Sequence, residues 1–267
     1  MLDVTLLLGD CADKLKDIPD ASIDLVVTSP PYDNLRQYKG YSFEFEKIAA
    51  ELCRVIKVGG VIVWVVGDAT SNGSESGTSF RQALHFVEII GLNLHDTMIY
   101  QKLNAIPLNH NRYEQEFEYM FVFSKSKPKV VNHIKIPCTN GGKKNTRSTY
   151  YKTKHSSLPE LANKVGITNI EKNKGNIWGY LVGNHGTDAS YKHPAKFPRQ
   201  LAKDHIISWS NEGDTVLDPF MGSGTTGVAA VELGRKFVGI EIALEYFEMA
   251  KQRIDTKQII EYAQIDW

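Results

Sequence analysis

The 267-residue chain carries 31 Lys and Arg against 31 Asp and Glu, so its formal net charge is zero, and its length suits one large domain or one domain with an insertion. The apolar run Val61–Val66 is far too short to span a bilayer and no signal peptide opens the chain, so we expect a cytosolic protein without a membrane partner. The three cysteines (Cys11, Cys53 and Cys138) are odd in number and far apart, which argues against a metal site and a disulfide framework.

Short apolar runs alternate with helical patterns along most of the chain. Seven runs predict strands, at Val4–Leu8, Ile23–Val27, Val61–Val66, Leu94–Tyr100, Glu118–Phe123, Thr215–Leu217 and Phe237–Ile240. Apolar residues at helical spacing predict helices over 45–56, 80–90, 198–209, 225–233 and 244–254. Strands that alternate with helices predict an α/β fold with a mostly parallel seven-stranded sheet.

Glycine and proline mark the expected ends of these helices. We expect the first long helix to end at Gly59-Gly60 and the next at Gly91, because glycine accepts the left-handed conformation common at helix C-termini. Pro198 is expected at the first position of its helix, where the missing N–H costs nothing.

Residues 125–190 interrupt the alternation and are rich in Asn, Gly, Thr and Tyr, with only Leu158–Val165 indicating a short helix. Positions 125–176 hold 12 basic and 2 acidic side chains, whereas the rest of the chain holds 19 basic and 29 acidic ones. This asymmetry favours a nucleic-acid partner over a merely solvated lysine-rich loop. We therefore predict a catalytic half at 1–124, an inserted loop-rich recognition region at 125–190 and a cofactor half at 191–267.

The stretch Val216–Gly227 combines a strand, an acidic turn and a glycine loop. Gly222, Gly224 and Gly227 match the G-x-G-x-x-G spacing of dinucleotide-binding proteins. Glu241 ends the next strand, where a carboxylate can accept hydrogen bonds from ribose hydroxyls. A nicotinamide cofactor is disfavoured, because Asp218 would repel a pyrophosphate and attract an ammonium group, and because only 26 residues follow Glu241.

A second unusual stretch, TSPPY at Thr28–Tyr32, directly follows a core strand. Its two prolines make a rigid corner that offers no backbone N–H donor. By itself this pattern fits either a ligand-binding corner or a plain proline turn with a core tyrosine.

Taken together, the two stretches make the chain resemble the β-class amino-methyltransferases, which modify DNA bases with S-adenosylmethionine. The resemblance rests on TSPPY placed before DPFMGSGTT (Asp218–Thr226) with a basic segment between them, and it covers most of 4–124 and 191–254. It extends through the motifs GDCADKL (Gly9–Leu15), HPAKFP (His193–Pro198) and GIE (Gly239–Glu241). The resemblance implies a Rossmann-like sheet in a circularly permuted strand order, S-adenosyl-L-methionine as cofactor and double-stranded DNA as partner.

In this family the corner assists a poor nucleophile, the exocyclic amine of a base, whose lone pair is delocalised into the ring. Ser29 Oγ and the Pro30 carbonyl would accept hydrogen bonds from the amine, and Pro30 and Pro31 would hold these acceptors rigid. Tyr32 would stack on a flipped base. We expect Asp68 to accept a hydrogen bond from Ser29, although a loop acid without that role fits the sequence equally well.

Other motif residues match positions that hold the cofactor in the family. The resemblance implies that the glycine loop binds the methionine part, that Asp10 lies near the adenine and that Glu241 binds the ribose. The candidate cofactor residues are Asp10, Thr28, Lys196, Phe197, Asp218, Phe220, Gly222, Gly224, Thr225 and Glu241. For Lys196 a plain surface lysine is the alternative.

The basic region is expected to recognise the target DNA. Phosphate contacts are predicted for Lys143, Lys144, Arg147, Lys152 and Lys154, and base contacts for Tyr150, Tyr151 and Trp178.

The serine of TSPPY favours N4 of cytosine as the methylated atom, since many adenine-modifying relatives carry Asp or Asn there, and N6 of adenine stays open. A catalytically silent module that binds nucleic acid and cofactor is the rival from another class, and a nicotinamide oxidoreductase is a weaker one. A homodimer and a restriction endonuclease partner both stay open.

Overall fold

The computed structural model describes residues 3–31, 43–105, 112–151, 160–182 and 198–265, and of these it leaves out the side chains of 146–151, 160–165 and 259–265. The chain forms two compact units. The larger unit comprises residues 1–132 and 176–267, and the smaller comprises 133–175.

The described residues form fourteen strands. In chain order they are β1 (Val4–Leu8), β2 (Ile23–Thr28), β3 (Ile56–Val66), β4 (Thr70–Ser71), β5 (Ser74–Glu75), β6 (Asn93–Lys102), β7 (Phe117–Ser124), β8 (Lys135–Pro137), β9 (Lys144–Tyr151), β10 (Glu160–Ile167), β11 (Glu171–Asn173), β12 (Ile177–Tyr180), β13 (Thr215–Asp218) and β14 (Lys236–Glu241). The helices are α1 (Cys11–Lys14), α2 (Phe45–Val55), α3 (Thr78–Leu84), α4 (Arg199–Trp209), α5 (Thr225–Glu232) and α6 (Leu244–Ile265), with a 3₁₀ turn at Leu15–Asp17 and a π turn at His85–Ile89.

The larger unit is built on an eight-stranded sheet in the order β1-β14-β13-β2-β3-β7-β6-β12. Every neighbouring pair is parallel except the two that β7 makes with β3 and β6. All seven predicted strands are present, and the predicted α/β, Rossmann-like, mostly parallel sheet is confirmed. The carboxyl ends of β1, β14, β13, β2 and β3 therefore share one edge, which we call the site edge. Because β7 is reversed, its first residue, Phe117, lies at that same edge.

The burial of the central elements explains why the sequence pattern predicts them. Residues 60–66 of β3 are all buried, as expected of a central strand covered on both faces. The helix α2 buries one stripe, formed by Ile48, Ala49, Leu52 and Val55. Trp64 on β3 is fully buried, and its indole Nε1 donates to Gln82 Oε1 at 2.9 Å, so the one polar atom of this core ring is satisfied.

The end of α2 differs from the prediction. The helix ends at Val55, and Gly59-Gly60 lie inside β3, where the register against β2 shifts. Gly59 has φ +81°, and a Cβ on Gly60 would lie 2.7 Å from Ile56 Cγ1. These glycines therefore serve a bulge in the strand and do not cap a helix.

Two other helix ends are close to the prediction. Gly91 follows the π turn with φ +81°, as expected for a residue that ends a helix. Pro198 precedes α4 as its N-cap, one residue earlier than predicted, with an extended ψ of 137°. None of the helices in the described ranges combines the length and apolarity needed to cross a membrane.

The eighth strand was not predicted and comes from within the expected insertion. β12 pairs in parallel with β6, from Ile177 opposite Ile99 to Tyr180 opposite Lys102. Trp178 is only 5% exposed, and its ring lies 4.7 Å from that of His205 on α4. The predicted contact of Trp178 with DNA bases is therefore wrong, because the ring is part of the core.

The smaller unit consists of two antiparallel ladders, β8 with β11 and β9 with β10. The predicted helix over Leu158–Val165 is wrong for the part that the structure describes, since residues from Glu160 onwards form β10. Glu160 pairs with Tyr151 and Ile167 with Lys144, so cross-strand pairing overrides a weak local pattern. Residues 133–175 hold nine Lys and Arg and two Glu, which makes this unit strongly basic.

Candidate active site

The two motifs singled out in the sequence meet at the site edge. Ser29, Pro30 and Pro31 directly follow β2, and the glycine loop directly follows β13, the neighbouring strand. Pro30 is buried, whereas Ser29 and Pro31 are partly exposed. A rigid corner with an accessible hydroxyl thus stands beside the loop.

A hydrogen-bonded cluster around Asp218 joins the corner to the loop. Thr28 Oγ1 donates to Asp218 Oδ1 and Thr226 Oγ1 donates to Asp218 Oδ2, both at 2.7 Å, and Phe220 N donates to Oδ1 at 3.1 Å. Thr28 and Thr226 are fully buried. The hydroxyl of Thr28 is therefore engaged in orienting Asp218, and its predicted role in binding the cofactor becomes an indirect one in our proposal.

Burial dominates the electrostatics of Asp218. The pKa of this carboxyl is raised from 3.8 to about 6: loss of solvent is the main cause and nearby Glu241 adds to it, while the hydrogen bonds from Thr226, Thr28 and Phe220 oppose the shift because they favour the charged form. Because burial makes the ionised form of Asp218 unfavourable, a positively charged ligand group beside it would stabilise that form strongly.

The glycine loop turns tightly into α5. Gly222 and Gly224 have φ of +50° and +80°, and Gly224 is the N-cap of α5, without a side-chain cap. A Cβ on Gly227 would lie 2.5 Å from Ile254 Cδ1 and 2.6 Å from Phe237 Cε1. The third glycine therefore permits close packing of α5. Because no side chain caps the helix, the N–H groups of its first turn can donate to an anionic ligand group.

Glu241 at the end of β14 ties the glycine loop to the segment that follows β14. Its Oε2 accepts from Gly222 N at 3.0 Å and its Oε1 accepts from Ala243 N at 2.9 Å. The carboxylate is 8% exposed, and burial raises its pKa. Each oxygen keeps an acceptor site beyond these bonds, which suits a diol such as ribose.

Asp10 lies at the end of β1 as the N-cap of α1. Its Oδ1 accepts from Ala12 N at 2.8 Å, and Gly9 N donates to the Glu241 carbonyl at 2.9 Å, so the ends of β1 and β14 are tied together. Burial raises the pKa of the neighbouring Cys11 thiol, which makes it a poor nucleophile.

Asp68 does not accept the predicted hydrogen bond from Ser29. Within the described ranges its Oδ1 accepts from Ser76 Oγ and Ser79 N, each at 2.9 Å, and its Oδ2 accepts from Ser79 Oγ. The chain folds back through the β4–β5 hairpin, which brings these donors to the end of β3. Asp68 thus anchors the start of α3 at the site edge. The positive end of the helix dipole at this N-terminus also stabilises the negative charge of the carboxylate.

The sequence pattern missed the contribution of α6 to the loop. Arg253 is 5% exposed and donates to Ser223 O and, at 3.1 Å, to Ser223 Oγ. A signal was present, since Arg253 lies on the same helical stripe as the buried residues Ala250 and Ile254.

Several predicted residues cannot be placed. Tyr32, Lys152, Lys154, Lys196 and Phe197 lie outside the described residues. For Arg147 and Tyr150 the structure describes only the backbone, in β9. Lys143 and Lys144 are exposed in the smaller unit.

A mostly parallel α/β sheet, with a glycine loop after one strand and a buried acid at the end of the next, defines a Rossmann-like enzyme that binds a nucleoside-containing cofactor. A sequence profile of the DNA methylases of the N6/N4 type matches residues 23–252. The chain therefore belongs to this family of DNA amino-methyltransferases.

Individual relatives span nearly the whole chain. It is 50% identical over 248 residues to the orphan methyltransferase M.BamHII of Bacillus amyloliquefaciens, across 90% of this chain and 91% of the relative. It is 27% identical over 263 residues to the DNA adenine methyltransferase YhdJ of Escherichia coli (strain K12), across 94% and 82% of the two chains.

Solved structures show the same fold. PvuII DNA methyltransferase (cytosine-N4-specific) matches with a TM-score of 0.69 at 21% identity, across 98% of this chain and 92% of that one. The complex of M1.HpyAVI with S-adenosylmethionine matches with a TM-score of 0.64 at 26% identity, across 94% and 99%. The enzyme is thus a DNA methyltransferase that uses S-adenosylmethionine, and proteins named for either base are among those it resembles.

The residues present fit this cofactor. Its methionine part carries both an ammonium and a carboxylate, which match the buried Asp218 and the uncapped N–H groups of α5. Its ribose matches the remaining acceptor sites of Glu241.

Proposed function

We propose that this DNA methyltransferase modifies the exocyclic N4 of cytosine in double-stranded DNA, with N6 of adenine as the alternative. The observation that carries the proposal is the Thr28–Asp218–Thr226 cluster, which locks the TSPP corner beside the glycine loop. The serine of the corner is the reason to favour cytosine, since relatives that methylate adenine often carry an acidic or amide side chain there.

The corner's own chemistry is acceptance of hydrogen bonds. When bound, S-adenosylmethionine supplies an electrophilic methyl group. Ser29 Oγ and the Pro30 carbonyl accept hydrogen bonds from the base amine, so that its lone pair localises on nitrogen. Pro31 keeps this geometry rigid, and Tyr32 stacks on the flipped base. No strong base is required, because the amine can lose its proton after it has become a cation.

Asp68 has a positioning role in this proposal. Its carboxylate holds Ser76 and Ser79 and so fixes the segment that borders the corner on the β3 side. Lys196 and Phe197 are proposed to close the cofactor pocket, and Phe220, Gly222, Gly224 and Thr225 to line it, with Asp10 beside the adenine.

The basic smaller unit is proposed to recognise the DNA. Lys143 and Lys144 are exposed there, and β9 carries Arg147 and Tyr150. Lys152 and Lys154 follow β9 in the sequence. Since DNA is the substrate, we propose that the enzyme acts in the cytoplasm. A homodimer is a further proposal, which size-exclusion chromatography would test. A partner restriction endonuclease is another, which the neighbouring genes would test.

The deciding experiment identifies the methylated nucleoside. The protein is incubated with unmethylated DNA and isotope-labelled S-adenosylmethionine, and the DNA is digested and analysed by mass spectrometry. Labelled N4-methylcytosine is the expected product. Labelled N6-methyladenine would keep the mechanism and overturn the choice of base. No labelled nucleoside, with cofactor bound, would favour the catalytically silent module.

A further inference from the structure

A ladder of aromatic rings runs along one face of β7 and becomes exposed at the site edge. Phe121 and Phe123 are buried, whereas Phe117 at the start of the strand is 39% exposed. Phe80 of α3 is 49% exposed, and its ring lies 5.3 Å from that of Tyr119, which in turn lies 5.3 Å from Phe117. We call Phe80, Phe117 and Tyr119 the edge aromatics.

The sheet register places the edge aromatics on the substrate side of the corner. Thr28 pairs with Trp64, and Trp64 pairs with Phe121, so Tyr119 is two residues nearer the site edge. β7 is two strands from β2, roughly 10 Å at the usual strand spacing. The cofactor residues follow β13, β14 and β1, which lie on the other side of β2. A ligand at the edge aromatics would therefore be a neighbour of the target base and not part of the cofactor.

The chemistry of this surface matches a nucleobase better than a phosphate. Burial raises the pKa of Tyr119, as do Asp68 and Glu75 nearby, so its hydroxyl stays a neutral donor. In the described part of the chain no residue forms a hydrogen bond with that hydroxyl. Glu75 is paired with Arg112 at 3.5 Å, so these carboxylates are partly compensated, and the groups that the surface itself presents are apolar rings and one O–H donor. Such groups suit the face and edge of a base.

We propose that the edge aromatics form a stacking surface for the base next to the target base in DNA. Base flipping removes one stacking partner from each neighbouring base, and an aromatic ring can replace it. The proposal rests on the methylation of a flipped base proposed above, and it adds a second aromatic contact besides Tyr32.

The test separates stacking from structural support. The test variants Phe80→Leu and Phe117→Leu keep an apolar side chain and remove the ring. Phe117→Trp is the conservative control, because it keeps a ring. Leu94→Ala is the matched control, because it alters an exposed apolar residue at the opposite edge of the sheet. We would measure KM for unmethylated plasmid DNA, Kd for S-adenosylmethionine and Tm. The doubly substituted Phe80→Leu/Phe117→Leu enzyme should show an increase in KM for DNA of about tenfold or more. Its Kd for the cofactor and its Tm should match those of Leu94→Ala, and Phe117→Trp should resemble wild type.

Photocrosslinking gives an independent readout. DNA substituted with 5-iodouracil should crosslink wild-type enzyme within the peptides that contain Phe80, Phe117 or Tyr119. An unchanged KM for DNA, or a KM that changes only together with Tm and cofactor affinity, would overturn the proposal, and so would crosslinks confined to other peptides. If wild-type enzyme methylates no nucleoside, the proposed function fails instead; if it does and the leucine variants are unaffected, only this inference fails.

Discussion

At the scale of single residues, Asp218 is the group on which the two halves of the site depend. It accepts hydrogen bonds from Thr28, Thr226 and Phe220 while it is almost completely buried. The sequence pattern predicts an acid beside the glycine loop, but it does not predict that Thr28, 190 positions away, donates a hydrogen bond to it. Periodicity identifies buried strands and says nothing about which strands become neighbours.

Asp218 predicts a specific pH dependence of stability. Its pKa of about 6 lies above the unfolded value of 3.8, so the folded state binds the proton more tightly. This contribution to stability is complete below about pH 4 and is lost as the pH rises through about 6; two pKa units amount to about 3 kcal/mol. Asp218→Asn cannot titrate. The free energy of unfolding of wild type minus that of Asp218→Asn should therefore fall by about 2 kcal/mol from pH 4 to pH 7, as measured by urea unfolding without cofactor. A difference that is constant with pH would contradict the assignment.

Gly227 gives a second prediction for a single residue. An alanine there brings its Cβ within 2.6 Å of both Ile254 and Phe237, and overpacking of this kind costs about 1–3 kcal/mol. Urea unfolding should show this loss for Gly227→Ala. Gly175→Ala is the matched control, since nothing lies within 4 Å of its Cβ, and it should stay within about 1 kcal/mol of wild type. Equal effects of the two substitutions would show that the close packing of α5 against Ile254 and Phe237 is not important for stability.

At the scale of elements, strands were easier to predict than their ends and connections. The central strands β2, β3 and β13 are apolar because they are largely buried, whereas β1 and β6 at or near the sheet edges are partly exposed and were predicted from apolar residues alone. The predicted end of α2 at Gly59-Gly60 is wrong because glycine is typical of strand bulges as well as of helix ends. β12 was missed because it is short and alternates between exposed and buried residues within a basic segment.

The alternation of β12 can be tested on its two faces. Trp178 is buried against His205, whereas Ile177 is 61% exposed. Trp178→Ala should lower the free energy of unfolding by about 3–5 kcal/mol. Ile177→Thr, which keeps a β-branched side chain on the same strand, should change it by less than about 1 kcal/mol. Thermal or urea unfolding of the two variants would decide, and a Trp178→Ala protein as stable as wild type would refute the placement of β12 in the sheet.

At the scale of the whole molecule, charge is divided between the two compact units. The smaller unit is strongly basic although the net charge of the chain is zero. This division was visible in the sequence because a count of charges needs no knowledge of the fold. Which basic side chains face DNA was not visible, since that depends on how β8 to β11 present them.

The charge division predicts a change in salt dependence. Lys143→Gln/Lys144→Gln removes two exposed cations from the smaller unit and should reduce the slope of log Kd for DNA against log salt concentration by up to about two. The matched control is Lys127→Gln/Lys236→Gln, which removes two exposed lysines at the edge of the sheet opposite the site. Fluorescence anisotropy from low to moderate salt measures both slopes. Identical slopes for the two double variants would refute a phosphate-binding role of Lys143 and Lys144.

The hydrogen bond from Thr28 to Asp218 has a consequence for the newborn protein. On the ribosome, β2 and its proline corner leave the exit tunnel long before β13 exists, because 190 positions separate the two residues. At ordinary elongation rates this interval is roughly 10 to 40 seconds. Throughout it, one edge of β2 lacks the strand that will cover it, and the corner lacks the acid that orients it. Competence for methyl transfer therefore arises late in translation, so a nascent chain released before residue 218 would carry a complete TSPPY motif and no working site.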